Sequence, residues 1–237
     1  MKRFAKALTA IMLMTMAVSI TGCKPEEDSN DEGGGGSNTD NHAYVDLGLP
    51  SGTLWATCNV GADEPEGFGD YYAWGETTAK TTYKWSTYQY SEQDGEYLFK
   101  YCGKPSCGYN GYSDQLIILQ PSDDAATANW GVEWVIPTKA QWEELCQNTT
   151  HTWTTQNGVT GRLFTASNGN SLFLPAAGYM EGSKLDGDGS DGPYWSSSLY
   201  TNYPFCAWNF FFRSNEYYMY HGYRDGGLPV RPVRSAR

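Results

Sequence analysis

Catalysis by a serine or cysteine nucleophile needs a base within hydrogen-bond reach, and the chain offers three histidines for that role, His42, His151 and His221. None stands in a spacing that makes a site. There is no G-x-S-x-G elbow, no H-E-x-x-H pair and no G-x-x-x-x-G-K-[ST] phosphate loop. Gly187 to Gly192 does spell G-x-G-x-x-G, but no strand precedes it and Pro193 follows where a helix would have to open, so the match carries no dinucleotide chemistry. The residues argue against an enzyme, and they name no catalytic side chain and no cofactor.

Metal ligation is the next chemistry the residue types suggest. Asp186, Asp188 and Asp191 crowd the stretch LDGDGSDG, yet a calcium loop beginning at Asp186 requires glycine at its sixth place and glutamate at its twelfth, where Asp191 and Ser197 stand. The stretch reads as a solvated acidic turn. Cys102 and Cys107 enclose Gly-Lys-Pro-Ser, a turn-prone insert that a local disulfide could close in an oxidising envelope. Simple burial of the two thiols is the alternative, and a zinc site is the third, without a second Cys or His pair at ligand spacing to complete it. No metal is expected.

What the chain holds in excess is rings. Residues 199–223 carry eleven of its aromatic side chains, against 9 Trp, 18 Tyr and 9 Phe in all 237 residues. A core strand alternates inward rings with outward polar residues, but Phe210, Phe211 and Phe212 occupy both parities. Trp208, Phe210 and Phe212 are expected to face the core. The other face and the tyrosines beyond it then need a different purpose, and tyrosine suits binding because its ring gives contact area with few torsions to freeze. The candidate ligand contacts are Leu199, Tyr200, Tyr203, Phe205, Phe211, Arg213, Tyr217, Tyr218, Tyr220, His221, Tyr223 and Asp225.

The elements that position these residues are mostly short strands between Gly, Asn, Asp and Pro punctuation. Tyr44 to Leu49 and Thr53 to Val60 flank Pro50-Ser51-Gly52 as a hairpin. The polar stretch after Gly75 reads as an elaborate surface loop. One helix is clear: in PTKAQWEELCQ, Thr138 is an N-cap, Gln141 completes a capping box, and Trp142 and Leu145 share a face. A meander follows, with Asn157-Gly158 and Asn168-Gly169 as its turns. A second loop leads to Tyr194-Trp195-Ser196-Ser197-Ser198, and LPVRPV suits an edge or terminal strand.

Lys2, Arg3 and Lys6 before the apolar run Ala7 to Ile20 give residues 1–22 the layout of a secretory signal peptide. Ile20-Thr21-Gly22-Cys23 resembles a lipobox, which makes Cys23 the expected lipidation site. Residues 23–42 read as an acidic, Gly-rich tether, and 43–237 as one domain. Acidic residues just after Cys23 resemble a surface-export signal, so the expected location is the outer membrane, lipid-anchored and facing outward. The formal charge of −11, more negative once the basic leader is lost, disfavours nucleic acid as a partner. Contact with the membrane is left to the acyl chains.

The motifs YVDLGLPSGTLWATCNVGA, YYAWGE, WVIPTKAQWEEL, NGVTGRLFTASNGNSLFLPAAGY, YWSSS and VRPV, in this order, resemble the Fibrobacter-type major paralogous domain of secreted and lipid-anchored bacterial proteins. That family is similar in fold to C-type-lectin-like domains and sulfatase-modifying factors. The resemblance implies an α+β domain of short twisted antiparallel strands, one or two helices and long loops, with its ligand surface between Tyr194 and Asp225. The frames YWSSS and VRPV also resemble those bounding the variable segment in targets of diversity-generating retroelements, whose AAC codons are mutated to NNC. Leu199 to Cys206 and Tyr217 to Asp225, apart from Met219, are compatible with NNC; an undiversified paralogue is the alternative. The calcium-lectin signatures EPN, QPD and WND are absent, and the modifying enzymes' cysteine pair is reduced to Cys206. The expected function is binding of an extracellular protein or glycan. A subunit of a cell-surface assembly is the second reading, and a sulfatase-modifying-type enzyme the third.

Overall fold

The computed structural model describes residues 42–92 and 95–236. The segments read from sequence as a signal peptide and a tether, with Cys23, lie outside the described residues up to residue 41. His42, read from sequence as part of the tether, stacks on Trp130 with ring centroids 3.8 Å apart.

Strands β1 (Tyr44–Asp46) and β2 (Thr53–Ala56) form the expected hairpin, closed by Gly52 N–H donating to the Leu49 carbonyl. The last strand, β15 (Val233–Ser235), pairs with the other edge of β2, so the two ends of the domain share one sheet. Two small pairs lie beside it: β3 (Tyr71–Tyr72) with β14 (Leu228–Pro229), and β4 (Ser91–Glu92) with β5 (Tyr97–Leu98). The meander is β6 (Thr149–Gln156), β7 (Val159–Ala166) and β8 (Ser171–Pro175). Its first turn works because Asn157 and Gly158 both take positive φ, 47° and 87°, as a two-residue turn between twisted strands demands. A ribbon, β9 (Tyr179–Glu181) with β10 (Lys184–Asp186), precedes the sheet that matters most here. That sheet is β11 (Tyr194–Leu199), β12 (Cys206–Phe212) and β13 (Tyr217–Tyr223), antiparallel and in chain order, with β13 at its edge.

The α-helices among the described residues are α1 (Ala125–Trp130) and α2 (Lys139–Asn148). The Thr138 hydroxyl accepts from Gln141 N–H at 3.3 Å while Gln141 Oε1 accepts from Thr138 N–H at 2.9 Å, which is the capping box its sequence spells. α1 has no counterpart in the sequence reading; Asp124 caps it, accepting from Thr127 N–H at 3.0 Å.

The expectation of an α+β domain is corrected by these elements. Strands take 37% against 15% helix, in many short antiparallel sheets with two helices, so the domain is β-rich. The physical reason is the density of turn formers and β-branched or aromatic residues, which leaves helical periodicity a single long window, at Thr138.

Two cores meet on β11 and β12. One packs Trp142 and Leu145 of α2 on Trp55, Phe164, Tyr194, Phe210 and Phe212, with Trp142 stacked on Phe210 at 5.0 Å. The other gathers Tyr72, Trp74, Tyr101, Trp134, Trp195 and Val230. Three buried indoles donate to backbone carbonyls at or beside β11: Trp74 to Ser196 at 2.8 Å, Trp195 to Tyr72 at 2.7 Å and Trp142 to Trp195 at 3.2 Å, the last joining the two cores. A buried N–H without such an acceptor would be destabilising.

Two arginines are fully buried. Arg224 lies against Trp74, 4.8 Å from the ring centroid, and donates to the Tyr88 hydroxyl and to the carbonyls of Lys100, Tyr101 and Pro204. Arg231 donates to Asn59 Oδ1 and to the Ala56 and Thr57 carbonyls; burial lowers its pKa to about 10. Both tie the C-terminal strands to distant loops. Cys102 and Cys107 are free thiols, the first buried and the second half-buried, so neither the disulfide nor the zinc alternative describes them here.

Candidate ligand-binding cleft

The register of β12 against β13 sorts the rings. Phe210 pairs with Met219 and Phe212 with Tyr217 on the face toward α2, while Asn209 pairs with Tyr220 and Phe211 with Tyr218 on the opposite face. Cross-strand partners share a face, so the double parity of the FFF run divides cleanly. Phe210 and Phe212 go to the core, and Phe211 goes to the outer side. Trp208, expected in the core with them, is half-buried; the Lys139 ammonium lies 4.9 Å from its ring centroid.

The outer face forms one wall of a cleft of about 500 Å³. The opposite wall comes from Tyr83 and Trp85 and from Tyr179, Met180 and Glu181 of β9. These two segments are stitched together, because Tyr83 N–H donates to the Gly182 carbonyl at 2.7 Å and Gly182 N–H returns to Tyr83 at 2.9 Å. Gly227 is needed beside them: a Cβ there would come within 2.7 Å of the Tyr83 ring. Trp195 and Asn209, paired across β11 and β12, line the floor with Gly222. A side chain at Gly222 would meet the Asn209 amide nitrogen at 3.2 Å, so the glycine keeps the floor open.

The charged residues of the cleft differ in how they are held. Arg213 grips Asp191 through two hydrogen bonds, 2.9 and 3.2 Å, and its guanidinium lies 4.9 Å from the Phe211 centroid. Asp225 has no such pair among the described residues. Burial raises its pKa above 3.8, against the pull of its own backbone amide, the Lys80 charge and the Trp85 amide. Lys80 is itself engaged with Glu76 at 2.7 Å. Glu181, exposed on β9, makes no ion pair among the described residues.

Of the residues expected to contact a ligand, Phe211, Arg213, Tyr220, Tyr223 and Asp225 line this cleft. Tyr218 stands just outside, against Phe211 at 5.4 Å and Tyr220 at 6.1 Å. Tyr203 packs on Phe205 and Tyr223 at the end of the sheet. Tyr200 and His221 form a separate stack, 4.1 Å apart, beside Trp208. Tyr217 lies on the core-facing side, 4.0 Å from His151. Leu199 and Phe205 pack into buried clusters and are not among the residues lining the cleft. His151 accepts from Arg162 at 3.1 Å, and burial together with that cation holds its pKa below 6.5.

Sequence reading passed over the second wall and Asn209. The one legible hint was the ring-rich stretch TTYKWSTYQY inside an otherwise polar loop. Asn209 carried no hint, since its value lies in which way the strand faces.

Among the described residues no group of three or more His, Cys, Asp or Glu side chains is placed to hold a metal ion, and no helix is long and apolar enough to cross a membrane. Residues 154–233 match a family described as a domain of unknown function (DUF8237), a match that takes in β7 to β14 and so every residue lining the cleft except Tyr83 and Trp85. No curated protein and no solved structure matches the chain.

Proposed function

We propose that this chain is a lipid-anchored protein of the outer membrane that presents a β-rich binding domain to the cell exterior, and that it binds an extracellular protein or glycan through the cleft on β12 and β13. The anchor reading rests on the leader and the lipobox-like Cys23. The family reading rests on the run of motifs from YVDLGLPSG to VRPV. The observation that carries the binding reading is the line of tyrosines on one edge strand: Tyr218, Tyr220 and Tyr223 are 42%, 49% and 58% exposed, beside a preformed cleft with aromatic walls. Concave sites with aromatic linings and a few fixed polar groups are where ligands bind, and rings of this kind act as anchors when a partner covers them.

The test uses the full-length chain on a glycan array and on a panel of extracellular-matrix proteins. Tyr220→Ser and Tyr223→Ser should each weaken the wild-type signal at least about tenfold, equivalent to 1.4 kcal/mol, while Tyr44→Ser, an exposed ring on β1, leaves it unchanged. A signal untouched by the two cleft variants, or lost equally with Tyr44→Ser, overturns the assignment of the cleft.

A further inference from the structure

Asn209 is 2% exposed, lies in the cleft floor, and its Oδ1 has no hydrogen-bond partner among the described residues. Buried amide oxygens are almost always satisfied, and one left bare calls for an explanation. Here the carbonyl shares the site with three carboxylates, Glu181, Asp191 and Asp225, beside Trp85, Arg213 and four tyrosines. Among the described residues Asp225 and Glu181 are carboxylates without an ion pair, and the only cation lining the cleft, Arg213, is held by Asp191. The walls add the rings of Trp85, Tyr220 and Tyr223, and aromatic quadrupoles favour a positive charge over a ring face. Acceptors, negative charge and π faces are all complementary to one ligand chemistry, a cation rich in N–H donors.

We propose that the cleft recognises a guanidinium or alkyl-ammonium group of its ligand, with Asn209 Oδ1 accepting from the head group, Asp225 and Glu181 supplying the countercharge, and Trp85, Tyr220 and Tyr223 packing on the alkyl stem and the cation. The proposal rests on the reading of the cleft as the binding site and adds to it the class of group bound. The formal charge of −11 favours the same class at long range, since it draws cations toward the protein and repels anions.

The two claims separate in one titration set, followed by the amide resonances of Gly222 and Asp225 in the full-length chain. The probes are Nα-acetyl-arginine methyl ester and its neutral isostere, Nα-acetyl-citrulline methyl ester. The arginine ester should shift these resonances and bind at least about tenfold tighter than the citrulline ester, and the preference should shrink with added salt. Asn209→Asp keeps the acceptor and should retain binding; Asn209→Leu should abolish it. Should substitution in the floor disturb folding, Glu181→Gln on the exposed strand gives the same information and should weaken the arginine ester several-fold. Agmatine and an acetylated Gly-Arg-Gly amide tell the source apart: tighter binding of the peptide marks a polypeptide ligand, tighter agmatine a free amine. Equal binding of both esters overturns the cation proposal and leaves the cleft as a binding site. Absence of shifts with any of these cations overturns it too, and the array result for the tyrosine variants then stands or falls separately.

Discussion

Asp123 and Asp124 adjoin in the chain and are both buried, yet their carboxyls are displaced in opposite directions. Burial alone would raise Asp123, but hydrogen bonds from Lys100, Tyr101, Tyr90 and Ser122 overcome it and hold the pKa below 3.8. At Asp124 burial outweighs the amides of Ile136 and Thr127 and raises the pKa to about 6. The stability consequences have opposite signs. Asp123 contributes stability that is present above its unfolded value and lost as pH falls through its lower folded value. Asp124 binds its proton more tightly in the folded state, so its contribution is largest below pH 3.8 and declines as pH rises to about 6, by on the order of 2–3 kcal/mol. Asp124→Asn should therefore flatten the pH dependence of unfolding free energy between pH 4 and 6, measured by urea titration at several pH values; an unchanged slope contradicts the raised pKa. The rings give a second contrast at this scale. Trp195→Ala removes a buried indole that donates to Tyr72 and should cost about 3–5 kcal/mol. Tyr218→Ser, Tyr220→Ser and Tyr223→Ser should each stay within about 0.5 kcal/mol. Thermal unfolding of the four variants decides between a binding face and a core face.

Elements differ in how much their local sequence discloses. The α2 capping box and the Asn157-Gly158 turn could be read directly, because each is a contact between residues two to four positions apart. Thr138→Ala should destabilise by about 1 kcal/mol, visible as a lower urea midpoint with unchanged slope. The β6–β7–β8 meander was legible for the same reason, and LPVRPV does end on an edge strand, β15. The helix-to-strand balance was not legible, since it came with a family resemblance and the turn-dense segments went to strands. The cleft was half legible. Its β12–β13 wall announced itself through clustered rings, whereas the Tyr83–Trp85 wall depends on the Tyr83–Gly182 pairing, a contact between segments about a hundred residues apart that no periodicity encodes. Leu199 and Phe205 were misplaced as contacts because composition cannot tell which ring or aliphatic side chain turns inward where a strand ends.

At the scale of the whole molecule, the proposed anchor and the proposed binding cleft are tested by separate experiments. Cys23→Ala should release the protein from the membrane fraction, because a doubly or triply acylated cysteine holds firmly where an unacylated one has no apolar hold; equal pelleting of variant and wild type contradicts the anchor. The central claim is that the surface between β9 and β13 is the part of this molecule built to be covered by something else. The most direct measurement is a fragment screen by ¹H–¹⁵N spectra of the full-length chain, which requires no knowledge of the natural ligand. The account predicts that perturbations converge on Asn209, Phe211, Gly222 and Asp225. Convergence elsewhere, such as the exposed aliphatic residues Ile117, Val132 and Val135, with the cleft resonances unmoved, would contradict it.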